Sequence, residues 1–416
     1  MTKGLTMRLI PALMMAGFAG VAGASGFALQ NQTGSGNGNA FAGAAAAAED
    51  AGTIFFNPAG MTYLPEGHSI SLAATVLQRS VEYTDTGTAA LAAQALGGNG
   101  GQAGGVKLIP AGYYSYSINP NFRVGLGISP TFGNKTEFSS DFVGRFSGFM
   151  SEMKQININP SVAFRLNDVV SLGFGINYAI NETEFRQMAP TGASTQAIAD
   201  LRGADATWGY NLGAMFQISP STRLGVSYRS ALSFNLKGMQ EVSTVNRMVT
   251  AEGLKMPDTF SMAVSQKLSD RWEMLGDVTW TGWDKIQSLD VYNAATGAKI
   301  TTLDYKFRNT WRVGLGANYK YNDAWKLKFG VAFDQTPVRD ATNRTMTLPD
   351  SNRTWLSVGA RYALSKVSSL DVGYSHIFFA GAPTARVAST AVGSQTINGK
   401  FDTSANLLSA QYNHSF

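Results

Sequence analysis

Apolar and polar positions alternate along much of this chain. From 170 to 181, Val170, Leu172, Phe174, Ile176, Tyr178 and Ile180 share one parity, while Ser171, Gly173, Gly175, Asn177, Ala179 and Asn181 share the other. The period recurs at 313–320, where Val313, Leu315, Ala317 and Tyr319 alternate with Gly314, Gly316, Asn318 and Lys320. At 326–333, Leu327, Phe329, Val331 and Phe333 alternate with Lys326, Lys328, Gly330 and Ala332. Segments 69–76, 222–229, 356–364 and 370–375 behave alike. Successive side chains of a strand point to opposite faces, so each segment predicts a strand with one apolar face and one polar or small face.

Alternation also fits a soluble sandwich with one wet face, and connection length separates the two architectures. Short turns stand at Asn119-Pro120-Asn121, Asn167-Asp168, Ser219-Pro220-Ser221, Ser269-Asp270, Asn322-Asp323 and Ser365-Lys366. Long connections fall between them, at about 85–106, 131–152, 188–204, 240–256, 284–302, 336–351 and 380–400. Short and long alternate throughout, as the periplasmic turns and outer loops of outer-membrane barrels do. Six turns and seven loops join fourteen strands, so the predicted fold is an all-β transmembrane barrel of 14 antiparallel strands. Closure is required because hydrocarbon offers no partner to an unpaired strand edge.

Both chain ends fit this reading. In the last strand, Leu408, Ala410, Tyr412, His414 and Phe416 form one face and Ser409, Gln411, Asn413 and Ser415 the other. Trp311, Tyr319, Tyr321, Trp325, Tyr362 and Tyr374 lie near strand ends, where aromatic girdles belong. At the start, Lys3 and Arg8 precede an apolar stretch, Leu9 to Val21, and then Ala22-Gly23-Ala24. That is the layout of a cleaved signal peptide, 1–24, rather than of an anchor, which would be longer. Residues 25–66 are rich in Gly, Asn and Ala and do not alternate; 39–51 reads as a helix that Asn37 or Asn39 could cap. This segment is expected to be a hatch plugging the lumen of a barrel formed by 67–416.

Composition narrows the function. The chain has 45 glycines, no cysteine and 11% aromatic residues. Its formal net charge of +5 is spread along the sequence, which gives no concentrated face for nucleic acid. Of three histidines, His68, His376 and His414, only His376 follows a serine, and alternation sets Ser375 and His376 on opposite faces. An enzyme would need nucleophile, base and orienter within reach of each other, so catalysis is not expected. No cofactor or metal is implied.

Residues 25–61, SGFALQNQTGSGNGNAFAGAAAAAEDAGTIFFNPAGM, resemble the N-terminal hatch of the FadL family of outer-membrane transporters, whose Asn-Pro-Ala stands here as Asn57-Pro58-Ala59. Further matches are FGNKTEFSSDF (132–142), NPSVAFRLND (159–168), YRSALSFNLKG (228–238), FRNTWRVGLGANYKYND (307–323) and FDQTPVRDATNRTMTLPDSNRTWLSVG (333–359), in order over nearly the whole mature chain. The resemblance implies a fourteen-stranded barrel with a hatch, an apolar groove at the outer loops, a pocket within, and lateral exit through the wall near a kinked third strand. Transport would be passive, and the ligands long-chain fatty acids or aromatic hydrocarbons.

The residues themselves support three parts of that expectation. Phe138, Phe142, Phe146, Phe149 and Met150 recur about every four residues in the second outer loop; on a short helix they would form an apolar stripe, either a capture surface or a packed cluster. In the third strand, Gly125, Gly127 and Pro130 suggest a break, because proline cannot donate to a ladder, although Pro130 could also simply end the strand. In the tenth strand, parity sets Lys306, Arg308, Thr310 and Arg312 toward the lumen. A carboxylate in an apolar pocket needs a cation, which makes Arg308 the first candidate anchor. Lys306 stands beside it, and Arg186 is weaker because its parity is the apolar one. These cations could instead pair with Asp304, Asp340, Glu49 or Asp50. Phe27 of the hatch completes the candidate ligand-binding set.

The expected function is therefore uptake of hydrophobic small molecules. A general porin is the alternative, and an adhesin role for the outer loops stays open. The expected surroundings are outer-membrane lipid, lipopolysaccharide and the barrel-assembly machinery, with the chain a monomer.

Overall fold

The computed structural model describes residues 26–416, so the expected signal peptide lies outside the described residues. Among the described residues, strands 68–415 form one antiparallel sheet that closes on itself. Six strands are continuous at the start: β1 (His68–Asp85), β2 (Gly105–Asn119), β3 (Phe122–Glu137), β4 (Met150–Arg165), β5 (Val170–Pro190) and β6 (Gln196–Ser219). The next four are each broken once: β7 (Thr222–Arg229) with β8 (Leu232–Val242), β9 (Val245–Met256) with β10 (Thr259–Lys267), β11 (Trp272–Thr281) with β12 (Ser288–Asn293), and β13 (Lys299–Asp304) with β14 (Thr310–Lys320). Then follow β15 (Trp325–Asp334), β16 (Arg353–Ala363), β17 (Ser368–Phe379) with β18 (Ala382–Thr390), and β19 (Gly393–Ser415). Joining the broken pairs gives the fourteen strands expected. β1 and β19 seal the barrel in register from Ser69 opposite Ser415 to Asp85 opposite Gly399.

The parity reading holds across the wall. In β14, Trp311, Val313 and Leu315 are 45–57% exposed on the outside, while Thr310 and Arg312 are 2–4% exposed within. Similar rows on every strand form an apolar belt far larger than a soluble protein leaves bare, as a bilayer-facing surface must.

Four of the long connections are shorter than expected. At 188–204, 240–256, 284–302 and 380–400 the chain continues as paired strand above the membrane belt, and the tips shrink to 191–195, 243–244, 294–298 and 391–392. Their polar composition matched loops because these strand ends stand in water on one or both faces. Genuine loops remain at 86–104, 138–149 and 335–352.

Residues 26–66 lie inside the barrel, but not as the helix expected over 39–51. Only short helical turns form, at Gly34–Asn37, Ala44–Ala47 and Thr53–Phe56, with a 3-10 segment at Pro58–Tyr63. Ala40, Phe41, Gly43 and Ala48 all have positive φ; the first three break the stretch between the first two turns, and Gly43 and Ala48 bound the turn Ala44–Ala47 on either side. Alanine's helix preference, a few tenths of a kcal/mol per residue, yields here to contact with the wall. Nor do Asn37 and Asn39 cap a helix: Thr33 caps the first turn by accepting from Gly36 N. Instead Asn37 donates to the Gly373 carbonyl, and Asn39 to those of Ala317 and Phe329.

Candidate functional site

Hatch and wall meet on the small-residue parity of the strands. A Cβ at Gly330 would overlap the Asn39 backbone, one at Gly225 the Ala45 carbonyl, and one at Gly173 the Ala59 backbone. These inward glycines, read from sequence only as a polar or small face, are the surface on which the hatch lies. Asn57 of the Asn-Pro-Ala motif caps the 3-10 segment by accepting from Ala59 N at 3.1 Å. Its amide nitrogen donates to Ala45 O at 2.8 Å and Ala214 O at 3.0 Å, tying two hatch segments to β6. Pro58 and Ala59 are buried beside it.

Charge also anchors the hatch. Glu49 pairs with Lys328 and, at 3.3 Å, with Lys326; Asp50 pairs with Arg361 at 3.3 Å. Arg361 continues to Asp371 at 2.9 Å. The hatch acids considered as partners for lumen cations are thus paired, but by β15 and β16. Arg312, expected to face inward, does so and pairs with Asp277 at 3.1 Å.

The wall has one break in its ladder that bears on passage. β2 and β3 pair only from Gly112 opposite Ile128 to Asn119 opposite Phe122. Above that level β3 keeps its β4 partner, with a bulge between Pro130 and Phe132, and leaves its other edge free of β2. The hatch occupies that edge. Leu29 N donates to Thr131 O at 2.9 Å, and Gly133 N donates to Phe27 O at 2.8 Å, with Ala28 opposite Phe132. Pro130 therefore sits within β3 at the expected interruption, where it has no N–H to offer a ladder partner. Gly125 and Gly127 lie below it, facing hatch residues Met61 and Ile54.

Phe27 is buried at the mouth of this break. Its ring stands 4.9 Å from Trp283 and 6.1 Å from Phe132 in edge-to-face contact. Gly26, at φ +62, lies so close to Trp283 that a Cβ would approach its ring to 2.7 Å. Trp283, Ile286 and Phe307 reach this chamber because β11 and β13 are interrupted at 282–287 and 305–309. Beneath is a cavity of about 90 Å³, lined on the apolar side by Leu29, Phe41, Phe55, Phe56 and Phe132 and on the polar side by Asn211, Arg229, Asp277 and Arg312.

Arg229 is the functional candidate that sequence reasoning missed. Its guanidinium donates to the Asn177 side-chain oxygen and to Phe55 O at 2.8 Å, and lies 4.5 Å over the Phe55 ring. It pairs with no carboxylate among the described residues. The signal was available: Arg229 shares its parity with Gly225 and Ser227, and hence faces inward.

The interruption at 305–309 corrects the reading of Lys306 and Arg308. The chain leaves strand geometry at Lys306, whose φ is +50, so Phe307 takes the buried position and the two cations are exposed. Arg308 N donates to Pro337 O at 3.0 Å and its side chain reaches Thr336 O. Arg186 lies on the outer face, as its parity indicated, and pairs with Glu184 and with Asp200 at 3.1 Å.

The second outer loop forms no helix, and its aromatic residues are not an exposed stripe. Phe138, Phe142, Phe146, Phe149 and Met150 are at most 4% exposed, packed with Tyr83, Met346 and Phe401. Phe138 and Phe142 stack with centroids 4.1 Å apart. Arg145 ties the cap together, donating to Leu96 O, Ala95 O, Phe142 O and the Gln196 side chain. An apolar groove lies beside this cap, lined by Met153, Phe185, Leu201, Leu254, Leu303 and Tyr305. Ser375 and His376 point to opposite faces as expected, toward Asn37 and toward Asn406.

A closed fourteen-stranded antiparallel barrel, belted with apolar side chains and filled by its own N-terminal segment, defines an outer-membrane β-barrel protein. The family model described as outer membrane protein transport protein (OMPP1/FadL/TodX) matches residues 15–416, and the chain belongs to that family. It is 30% identical to an outer membrane protein of Neisseria meningitidis serogroup B over 89% of this chain and 90% of that one. It is 29% identical to the long-chain fatty acid transport protein of Escherichia coli K12, over 86% and 88%. Among solved structures, a Pseudomonas aeruginosa FadL homologue superposes with a TM-score of 0.87 at 23% identity, covering 94% of this chain and all of that one. That likeness shows the fold.

Proposed function

We infer that this protein is a passive uptake channel for long-chain fatty acids, which leave it sideways through the wall between β2 and β3. The observation that carries the reading is the unpaired upper edge of β3, occupied by hatch residues 27–29 in place of a wall strand. A ligand that displaced those residues would meet the bilayer rather than the periplasm, which is where an apolar molecule is stable. The groove beside the loop cap is the proposed entrance, and the Phe27–Trp283 chamber with the cavity below it the proposed binding site. Phe138, Phe142, Phe146, Phe149 and Met150 act in this reading as the core of a rigid cap beside the entrance.

Arg229 favours a carboxylate ligand over a hydrocarbon. Arg229 is half-buried in the cavity wall and ion-pairs with no carboxylate among the described residues, Asp277 of the same cavity being paired with Arg312, so an incoming carboxylate would offset its desolvation. The similar Escherichia coli protein, a long-chain fatty acid transport protein, agrees with that choice. Labelled oleate and labelled toluene uptake, in cells with and without the gene, tests the reading. Faster oleate uptake with the gene supports it. Gene-dependent uptake of toluene alone would replace it with an aromatic-hydrocarbon channel, and a large steady conductance in planar bilayers would replace it with a porin.

A further inference from the structure

The outer surface of the wall carries an ordered row of charges where the apolar belt ends. Ile158, Tyr178 and Trp208 stand side by side on β4, β5 and β6, with the Tyr178 and Trp208 rings 4.7 Å apart. Such an aromatic row marks the membrane interface. The next outward row is Ile156, Ile180 and Ala206, still apolar. The row beyond is Lys154, Glu182, Ala204 and Lys237, each directly opposite the next across four neighbouring strands. It lies four residues above the aromatic row, roughly 13 Å along the strand at about 3.3 Å per residue.

The ends of this row differ from the middle. Lys154 and Lys237 are separated by three strand spacings, roughly 14 Å at about 4.8 Å each. Ala204 leaves a notch between them, and a surface groove runs along it. Two nearby acids are committed to Arg202, Glu184 at 3.4 Å and Asp200 at 2.7 Å, while Glu152 is shared between Lys154 at 3.5 Å and Lys135 at 3.9 Å, so a phosphate on Lys154 must displace or share that contact. Lys237 has no ion pair among the described residues. Glu182 has none either, and offers hydrogen-bond acceptors in the centre of the groove.

We propose that this groove binds a bisphosphorylated glycolipid of the outer leaflet, a lipid A headgroup, with one phosphate on Lys154 and the other on Lys237. The row fits a disaccharide with a phosphate on each ring. Glu182 accepts hydrogen bonds from sugar hydroxyl or amide groups, and the acyl chains descend over Ile156, Ile180 and Trp208. Phosphatidylglycerol has one phosphate and no sugar, so it reaches one lysine and leaves Glu182 unmatched. The site lies on the outside of the barrel, apart from the lumen and the β2–β3 break.

Native mass spectrometry of the purified protein with added lipid A tests this, using the wild type and a K154E/K237E double variant. The wild type is expected to retain one lipid A, the double variant at least tenfold less, and lipid A lacking one phosphate an intermediate amount. Excess phosphatidylglycerol should fail to displace it. Oleate uptake and heat-modifiable migration in gels should be unchanged in the double variant, which shows that the barrel has folded. Equal lipid A retention by both proteins would overturn the proposal, as would displacement by phosphatidylglycerol at equal concentration.

Discussion

Gln32 holds the Pro130 carbonyl across the break in the wall, donating from its side-chain amide at 2.6 Å. Its amide oxygen accepts from the Tyr113 hydroxyl of β2 at 3.1 Å. One hatch side chain thus ties Pro130, above the last β2–β3 rung, to Tyr113, which is paired with Gly127 just below it. Replacing Gln32 with Ala removes these two bonds and a third, from the same amide to the Leu29 carbonyl at 3.0 Å, about 1 kcal/mol each. Amide exchange at Leu29 and Gly133, which hold hatch and β3 together, should quicken by about a hundredfold, with exchange in β14 to β16 unchanged. No change at those two amides would show that the latch contributes nothing.

The inward glycines are there for the hatch, not for the strands. Gly330→Val adds a β-branched residue that suits a strand but places a side chain where the Asn39 backbone lies. The barrel should still insert while the hatch is displaced. Planar-bilayer recordings should then show conductance well above that of the wild type. A hatch that stays in place, with unchanged conductance, would contradict the packing role assigned to Gly330.

Acid should loosen the hatch. Burial alone would raise the Glu49 carboxyl, but Lys326, Lys328 and Arg361 hold it well below its ordinary value of 4.5. A carboxyl depressed in the folded state contributes fully above its unfolded pKa, and that contribution is lost as the pH falls through the folded value. Protease protection of the hatch should therefore be flat at neutral pH and decline only as the pH drops below about 4. Glu49→Gln should be less protected at pH 7, because Lys328 loses its closest acid, and should show a smaller decline in acid. Equal profiles for the two proteins would remove Glu49 from the account.

Arg229 and Arg308 separate two accounts of ligand recognition. Arg229→Ala should lower oleate uptake at least tenfold, the scale of one charge-assisted hydrogen bond, and leave toluene uptake unchanged. Arg308→Ala should change neither, since that side chain is outside the cavity. Loss of oleate uptake in Arg308→Ala alone would restore the residue that parity first suggested.

The wall was legible in the sequence because a strand in a bilayer must alternate, and the alternation at 170–181 or 313–320 has no competing pattern. The chain's departures from strand geometry were not legible. Nothing local to Tyr305–Asn309 says that Phe307 will turn toward Trp283, so extending the parity of Trp311 and Val313 backward misplaced Lys306 and Arg308. The Ala-rich stretch at 39–51 reads as one helix in isolation, and only the wall glycines, more than a hundred residues away, dictate the path that leaves a single turn at Ala44–Ala47. Phe138 to Met150 could be seen as a recurring apolar set, but its partners Tyr83, Met346 and Phe401 come from three distant segments.

The lateral path itself is tested by sealing the wall. Replacing Pro130 with Val supplies the missing N–H, and deleting the bulged residue Thr131 keeps the β4 register on both sides. β3 should then pair with β2 along its upper half, and the break should close. The account predicts that oleate uptake falls to that of cells without the gene, while the protein still reaches the outer membrane in its heat-modifiable form. Undiminished oleate uptake by such a sealed and folded barrel would contradict it.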